Sequence, residues 1–343
     1  MQTHPVRPRI VVAVCLLVAC LAACTSTDSS SQPRSTETEP DGQEPTTAWV
    51  VFQGEGDGRA EVMLIRGDGS HLRPLVSTLE GGDQTNPDWD PTGTRLVFVM
   101  NDGSTDDLWV TDVGGTQPRR LLDCVAPCLY IDDPSWSPDG RTVAFSRTID
   151  RHGSGLSTLE VVDVGTGETE VLLRPSRREF TAGVRWSPDG ESLVFELVRK
   201  VDRGVDSDIS GVTLSIVGRH SRFHAVRHLT DPALFAATAD WSPDGRWIVY
   251  SALPTASDES PDLFVVRPGG GTPRRVTHLI PDGGYAAEPA FTRDSQAIVF
   301  SGRTDSSPGE GVLLTVSLDG TEVRSAFGQD LVHGRHPRLQ PTP

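Results

Sequence analysis

One phrase recurs along this 343-residue chain and limits what it can fold into. "DDPSWSPDGRTVAF", starting at Asp132, returns as "NPDWDPTGTRLVFVM" around Trp89, "AGVRWSPDGESLVFEL" around Trp186 and "TADWSPDGRWIVYSA" around Trp241. A fifth copy, "EPAFTRDSQAIVFSG", surrounds Phe291. The aromatic anchors are spaced by 47, 50, 55 and 50 residues, a period that marks a propeller or a solenoid. In the Asp132 copy, Pro138 sets φ for the second turn position and Asp139 tolerates the third. Gly140 takes the left-handed position that a Cβ would penalise. An apolar run follows, so Trp136 stands just before a hairpin bend. After each hairpin come an apolar segment such as "DLWVTDV" or "DLFVVRP" and a short strand such as "PRRLL". Four strands per unit is the content of a propeller blade.

A sixth unit is split between the chain ends. "RHPRLQP" aligns with "TNPDWDP" and puts Leu339 at the anchor position, 48 residues after Phe291. The three strands that should follow are "AWVVFQG" from Ala48, "EVMLIRGDG" from Glu61 and "HLRPLV" from His71. One end supplies the inner strand and the other the outer three, so no sheet edge stays open. The expectation is an all-β, six-bladed β-propeller of four-stranded antiparallel blades over 48–343, closed by the terminal strands and monomeric.

Trp-Ser-Pro-Asp-Gly followed by an apolar strand, near a 50-residue period, resembles the TolB-type propeller repeats over about 294 residues, 48–341. The Gly-His and Trp-Asp dipeptides of WD-repeat propellers are not the pattern here. TolB itself carries a further N-terminal domain, and only a short linker precedes this propeller. The repeat also occurs in propellers of prolyl-oligopeptidase-like enzymes. A peptidase is not expected, since no hydrolase domain follows Pro343 and no Gly-x-Ser-x-Gly elbow supplies a nucleophile.

Residues 1–23 read as an export signal. Arg7 and Arg9 form a positive start, and Ile10 opens a 14-residue run of apolar and small residues. That run is shorter than the about 20 residues that span a bilayer. It ends in Leu21-Ala22-Ala23-Cys24, which resembles a bacterial lipobox. The resemblance implies cleavage before Cys24 and acylation of its sulfur, where two or more chains give stable anchoring. The alternative is ordinary secretory cleavage beside a cysteine. Residues 25–47 hold no large apolar side chain and are expected to stay a disordered tether. The expected location is therefore extracytoplasmic, lipid-anchored to a bacterial membrane within the cell envelope.

The chain has 31 basic and 47 acidic residues, and without Arg7 and Arg9 its net charge is near −18. That balance excludes nucleic acid as a partner, because phosphates must be neutralised by Lys and Arg. It also disfavours flat contact with anionic lipid beyond the anchor. Cys124 and Cys128, in "LLDCVAPCLYIDDP", are two free thiols or one disulfide, and an oxidising compartment favours the disulfide.

The repeated Trp residues read as core and the repeated Pro-Asp-Gly as turn. His220, His224 and His228 carry a helical metal spacing, but the period places them in an outer strand, where alternate residues stand too far apart for one zinc. No metal, cofactor or catalytic residue is expected. Three residues before each anchor stand Asn86, Asp133, Gly183, Thr238, Glu288 and His336, expected in the loops that lead into the inner strands and gather at one channel mouth. They either satisfy turning backbone or bind a ligand, cation or partner there. Asn86, Asp133, Glu288 and His336 are the candidates for binding. The expected function is a binding or scaffold module for an envelope protein or polymer. The alternative is a carbohydrate lyase or hydrolase using Asp133, Glu288 and His336.

Overall fold

The structure, a computed structural model, describes residues 48–341 except 57, 77–78, 80, 152–153, 204–205, 220–225, 281–282, 305–310 and 329–330. The signal, Cys24 and the tether therefore lie outside the described residues, as do His220 and His224. The described residues form six four-stranded antiparallel sheets. Blade one joins β24 (Arg335–Leu339) to β1 (Trp49–Gly56), β2 (Arg59–Arg66) and β3 (Arg73–Pro74). Blade two is β4 (Asp83–Trp89), β5 (Arg95–Asn101), β6 (Asp106–Asp112) and β7 (Arg119–Leu122). Blade three is β8 (Cys128–Trp136), β9 (Thr142–Arg151), β10 (Ser154–Asp163) and β11 (Thr169–Leu173). Blade four is β12 (Glu179–Trp186), β13 (Ser192–Arg203), β14 (Asp206–Gly218) and β15 (Arg227–His228). Blade five is β16 (Ala237–Trp241), β17 (Ile248–Ala252), β18 (Asp262–Val266) and β19 (Arg274–Arg275). Blade six is β20 (Tyr285–Phe291), β21 (Ala297–Arg303), β22 (Val312–Ser317) and β23 (Val323–Ser325). This is the six-bladed propeller that the repeat predicts.

The second strand of each blade is covered on both faces by its neighbours, which is why it reads as an unbroken apolar run rather than an alternating one. Each carries a buried aromatic nine residues beyond the anchor: Phe98, Phe145, Phe195, Tyr250 and Phe300, none more than 3% exposed. Phe52 completes the set in β1. Trp89, Trp136, Trp186 and Phe291 are buried between the sheets, whereas Trp241 and Leu339 are half-buried. Truncating one such aromatic costs about 3–5 kcal/mol.

The repeated turn is built from its own side chains. Ser137 Oγ donates to Asp139 Oδ1 at 2.6 Å and accepts the Thr142 amide at 3.0 Å. Asp139 Oδ1 also accepts the Arg141 amide at 3.0 Å, and Gly140 sits at φ 69°. The Ser187–Asp189 and Ser242–Asp244 pairs repeat this at 2.6 Å, and Thr292–Asp294 at 2.7 Å. The Ser187 hydroxyl holds the Asp189 carboxyl below the usual carboxylate range.

Ring closure uses side chains as well as the ladder. Val50 pairs with Leu339 and Gln53 with Arg335. Gln340 accepts the Trp49 amide at 3.1 Å, gives its own amide to Trp49 O at 2.9 Å and donates Nε2 to Gly93 O at 2.8 Å. Trp89 Nε1 donates to Arg338 O at 3.1 Å, and Arg293 bonds the carbonyls of Gln340 and Pro341.

Candidate functional site

The six residues three before each anchor do not lie in loops. All of them sit inside the inner strands β4, β8, β12, β16, β20 and β24. The ladder register shifts at each, so every inner strand carries a bulge there. The bulged residue takes a left-handed backbone: φ is 50° at Asn86, 52° at Asp133, 58° at Gly183, 52° at Thr238, 54° at Glu288 and 49° at His336. Five of the six are not glycine, a strained arrangement that surrounding structure must enforce.

What enforces it is a chain of bonds running from blade to blade. Asp133 Oδ2 accepts the Gly183 amide at 2.7 Å. Thr238 Oγ1 accepts the Glu288 amide at 3.2 Å, and Glu288 Oε2 accepts the His336 amide at 3.0 Å. The His336 ring lies 3.3 Å from the other Glu288 oxygen. Asn86 Nδ2 donates to Asp133 Oδ1 at 3.2 Å and also reaches Asp132. Gly183 has no side chain to offer, and Glu196 from β13 stands in, accepting the Thr238 amide at 2.7 Å. A Cβ on Gly183 would meet Glu196 Oε1 at 2.3 Å, so the glycine and the glutamate require each other. Asn86 and Glu288 are buried, and Asp133 and His336 half-buried. The structure thus gives each candidate a backbone or side-chain partner in an adjoining blade.

One residue before the anchor, three blades repeat the principle. Asp88 accepts the Trp136 amide at 2.8 Å, Ser135 the Trp186 amide at 3.3 Å and Asp240 the Phe291 amide at 2.8 Å. Arg185 and Arg338, three blades apart, hold buried guanidinium groups at equivalent places. Each donates Nη1 to two strand carbonyls: Pro134 and Val184 for Arg185, Pro289 and Pro337 for Arg338. Burial, then the Asp133 charge, pushes the Glu196 carboxyl up to about 8. Burial also raises Asp132 and Asp88, the latter against the pull of both arginines. Burial lowers His336 against the pull of Glu288, and lowers Arg338 to about 10. Sequence reading missed Glu196, Arg185 and Arg338; a charged residue interrupting an apolar run was the available signal for Glu196 and Arg185, and the polar strand "RHPRL" offered none for Arg338.

A disulfide joins Cys124, in the connection after β7, to Cys128, the first residue of β8, with Cα atoms 5.1 Å apart. Protein purified from its native host without reductant and trapped with alkylating reagent is expected to weigh two hydrogens less than the dithiol, with both residues in one linked peptide. Free thiols at both positions would reject the bridge. Closing so short a loop is worth about 2 kcal/mol, so Cys124→Ser should still fold. His228 Nδ1 lies 2.9 Å from Ser215 Oγ. Among the described residues no three His, Cys, Asp or Glu side chains gather as a metal site.

The TolB beta propeller domain family matches residues 93–325. The chain belongs to that family. It is 27% identical over 212 residues to the uncharacterized peptidase YuxL of Bacillus subtilis, covering 51% of this chain and 30% of that protein. It is 32% identical over 79 residues to the Tol-Pal system protein TolB of Chromobacterium violaceum, covering 23% of this chain and 17% of that one. The chain therefore spans less than a third of either curated relative. Among solved structures, TolB from Acinetobacter baumannii superposes with a TM-score of 0.65 at 19% identity, covering 86% of this chain and 67% of that one. No described helix of this TolB-family chain is long and apolar enough to cross a membrane.

Proposed function

We propose that this TolB-family propeller is a lipid-anchored extracytoplasmic binding module that recruits an envelope protein or polymer through its mouth face. The observation that carries the reading is the contrast between its two faces. On one face the turns after the inner strands of blades three, four and five share one design, stiffened by Ser-Asp bonds and left-handed glycines, and blade six varies it with a Thr292–Asp294 bond and a left-handed Ser295. On the mouth face the hairpins between second and third strands diverge. Those of blade five have strands of five residues each, whereas β13 and β14 run to 12 and 13. The blade-four hairpin packs Val198 and Val212 with Phe180 of β12 in a small core, with Lys200 Nζ 4.5 Å from the Phe180 ring centre. Binding residues concentrate on variable loops held by a rigid scaffold. The lipobox-like Cys24 and the tether supply the location.

Two variants test the two halves of the reading. Cys24→Ser should leave the detergent phase or accumulate as precursor; equal partitioning of mature mutant and wild type rejects the anchor. Trimming the blade-four hairpin between Val198 and Val212 to a short turn should keep detergent partitioning and a cooperative melt, yet lose the co-purifying partner. Recruitment at the wild-type ratio rejects the mouth.

A further inference from the structure

The turn face is not featureless. Where blades two and three meet it opens a cavity of about 380 Å³ lined by Arg95, Arg119, Arg141, Gly140 and Asp163, among others. That size falls in the about 300–1,000 Å³ range of ligand sites. Three guanidinium groups converge there in a chain whose acidic residues outnumber the basic ones by 47 to 31. Two of the three are held in place. Arg95 Nε bonds Asp90 Oδ2 at 3.1 Å, and its guanidinium carbon lies 4.7 Å from the Trp136 ring centre. Arg119 Nη2 donates to Val164 O at 3.1 Å, across the blade boundary. Arg141 follows the Asp139–Gly140 turn, and its side chain is exposed.

We propose that this groove binds the phosphoryl group of a small phosphorylated ligand. Guanidinium forks present paired donors that match phosphoryl oxygens, and donors already fixed in place lose less freedom on binding. The opposing carboxylate is already engaged, because Asp163 Oδ1 accepts the amides of Gly165 at 2.9 Å and Thr166 at 2.8 Å. A phosphoryl group fills only part of the cavity, leaving space for the glycerol or sugar to which it is joined. The groove lies one blade from Ala48, where the chain enters the ring: Ala48 O accepts the Gly67 amide at 2.8 Å, and Gln340 links Trp49 to the Gly93 turn. A phospholipid headgroup and a free phosphorylated metabolite share this chemistry. The groove does not depend on acylation of Cys24.

Calorimetry on the detergent-solubilised mature chain tests it, with glycerol 1-phosphate as probe, glycerol as neutral control and dihexanoyl phosphatidylglycerol as headgroup. Saturable binding of glycerol 1-phosphate but not glycerol is expected, weakening as salt is added. Arg119→Gln and Arg141→Gln should each weaken it about tenfold, the loss of one charge-assisted contact, with the thermal melt still cooperative. Asp163→Asn should tighten it, since the amide keeps the turn and removes the opposing charge. Dihexanoyl phosphatidylglycerol binding as tightly as glycerol 1-phosphate, with the same variant losses, identifies the headgroup as the source; weaker binding identifies a free ligand. No saturable binding to wild type, or variants that bind like wild type, overturns the proposal.

Discussion

Deleting residues 334–343 is expected to abolish the cooperative thermal transition, while deleting 25–47 leaves it in place. The C-terminal segment supplies the whole inner strand of blade one. Without β24, β1 becomes an edge with unpaired amides and carbonyls, a template for association with other chains. The Gln340 bonds to Trp49 and Gly93 go with it, as does the carbonyl that accepts the Trp89 indole. Glu288 also loses its partner in His336. Each hydrogen bond is worth about 0.5–1.5 kcal/mol net, and a buried group left unpaired costs about 1–3 kcal/mol more. Several such losses together exhaust the about 5–15 kcal/mol by which a domain is stable. Circular dichroism melts of both truncations, with light scattering, give the readout. A ten-residue truncation that melts like wild type would mean the ring closes some other way.

Why the ring was legible and its inner lining was not has a physical reason. Trp136 and Gly140 recur because each does a job that few residues can do: filling the wedge between sheets and taking a left-handed turn. The bulge position recurs only in backbone. Asn86, Asp133, Gly183, Thr238, Glu288 and His336 share a φ within a few degrees but no side-chain chemistry, so nothing in the letters marks a bulge. Reading outward from the anchors put them in loops because strand ends are the least certain part of any such reading. Glu196 was hidden differently. It stands in the apolar run of β13, and only three-dimensional proximity shows that it replaces the side chain that Gly183 lacks. The convergence of Arg95, Arg119 and Arg141 spans two blades and has no local signature. An overall acidic balance therefore concealed a local basic groove.

Gly183→Ala is expected to destabilise the fold by about 2–5 kcal/mol, and the reason is more specific than loss of a glycine. Left-handed backbone is carried by a non-glycine at the other five bulges, so conformation alone is a modest part, about 1 kcal/mol. The larger part is the Cβ, which would stand 2.3 Å from Glu196 Oε1 and 2.7 Å from its carboxyl carbon. Displacing Glu196 leaves the Thr238 amide without its acceptor, at about 1–3 kcal/mol. For a ring of this size the melting temperature should fall roughly 3–8 °C. The same substitution in a Glu196→Ala background should cost only the conformational part, giving a coupling of about 1–3 kcal/mol in a double-mutant cycle. Gly183→Asp with Glu196→Ala should recover more, because Asp133 makes the same bond one blade earlier. The charge adds a second readout. Burial first, then Asp133, raises the Glu196 carboxyl from 4.5 to about 8, so the folded chain holds a proton that the unfolded chain releases. Stability from this group is full below about 4.5 and is lost as pH rises toward about 8, with His336 working in the opposite sense because burial lowers its proton affinity. Glu196→Gln should therefore flatten the fall in melting temperature between mildly acidic and mildly alkaline buffer. Additive single-mutant costs together with an unchanged pH profile would show that Glu196 does not close the ring at Gly183.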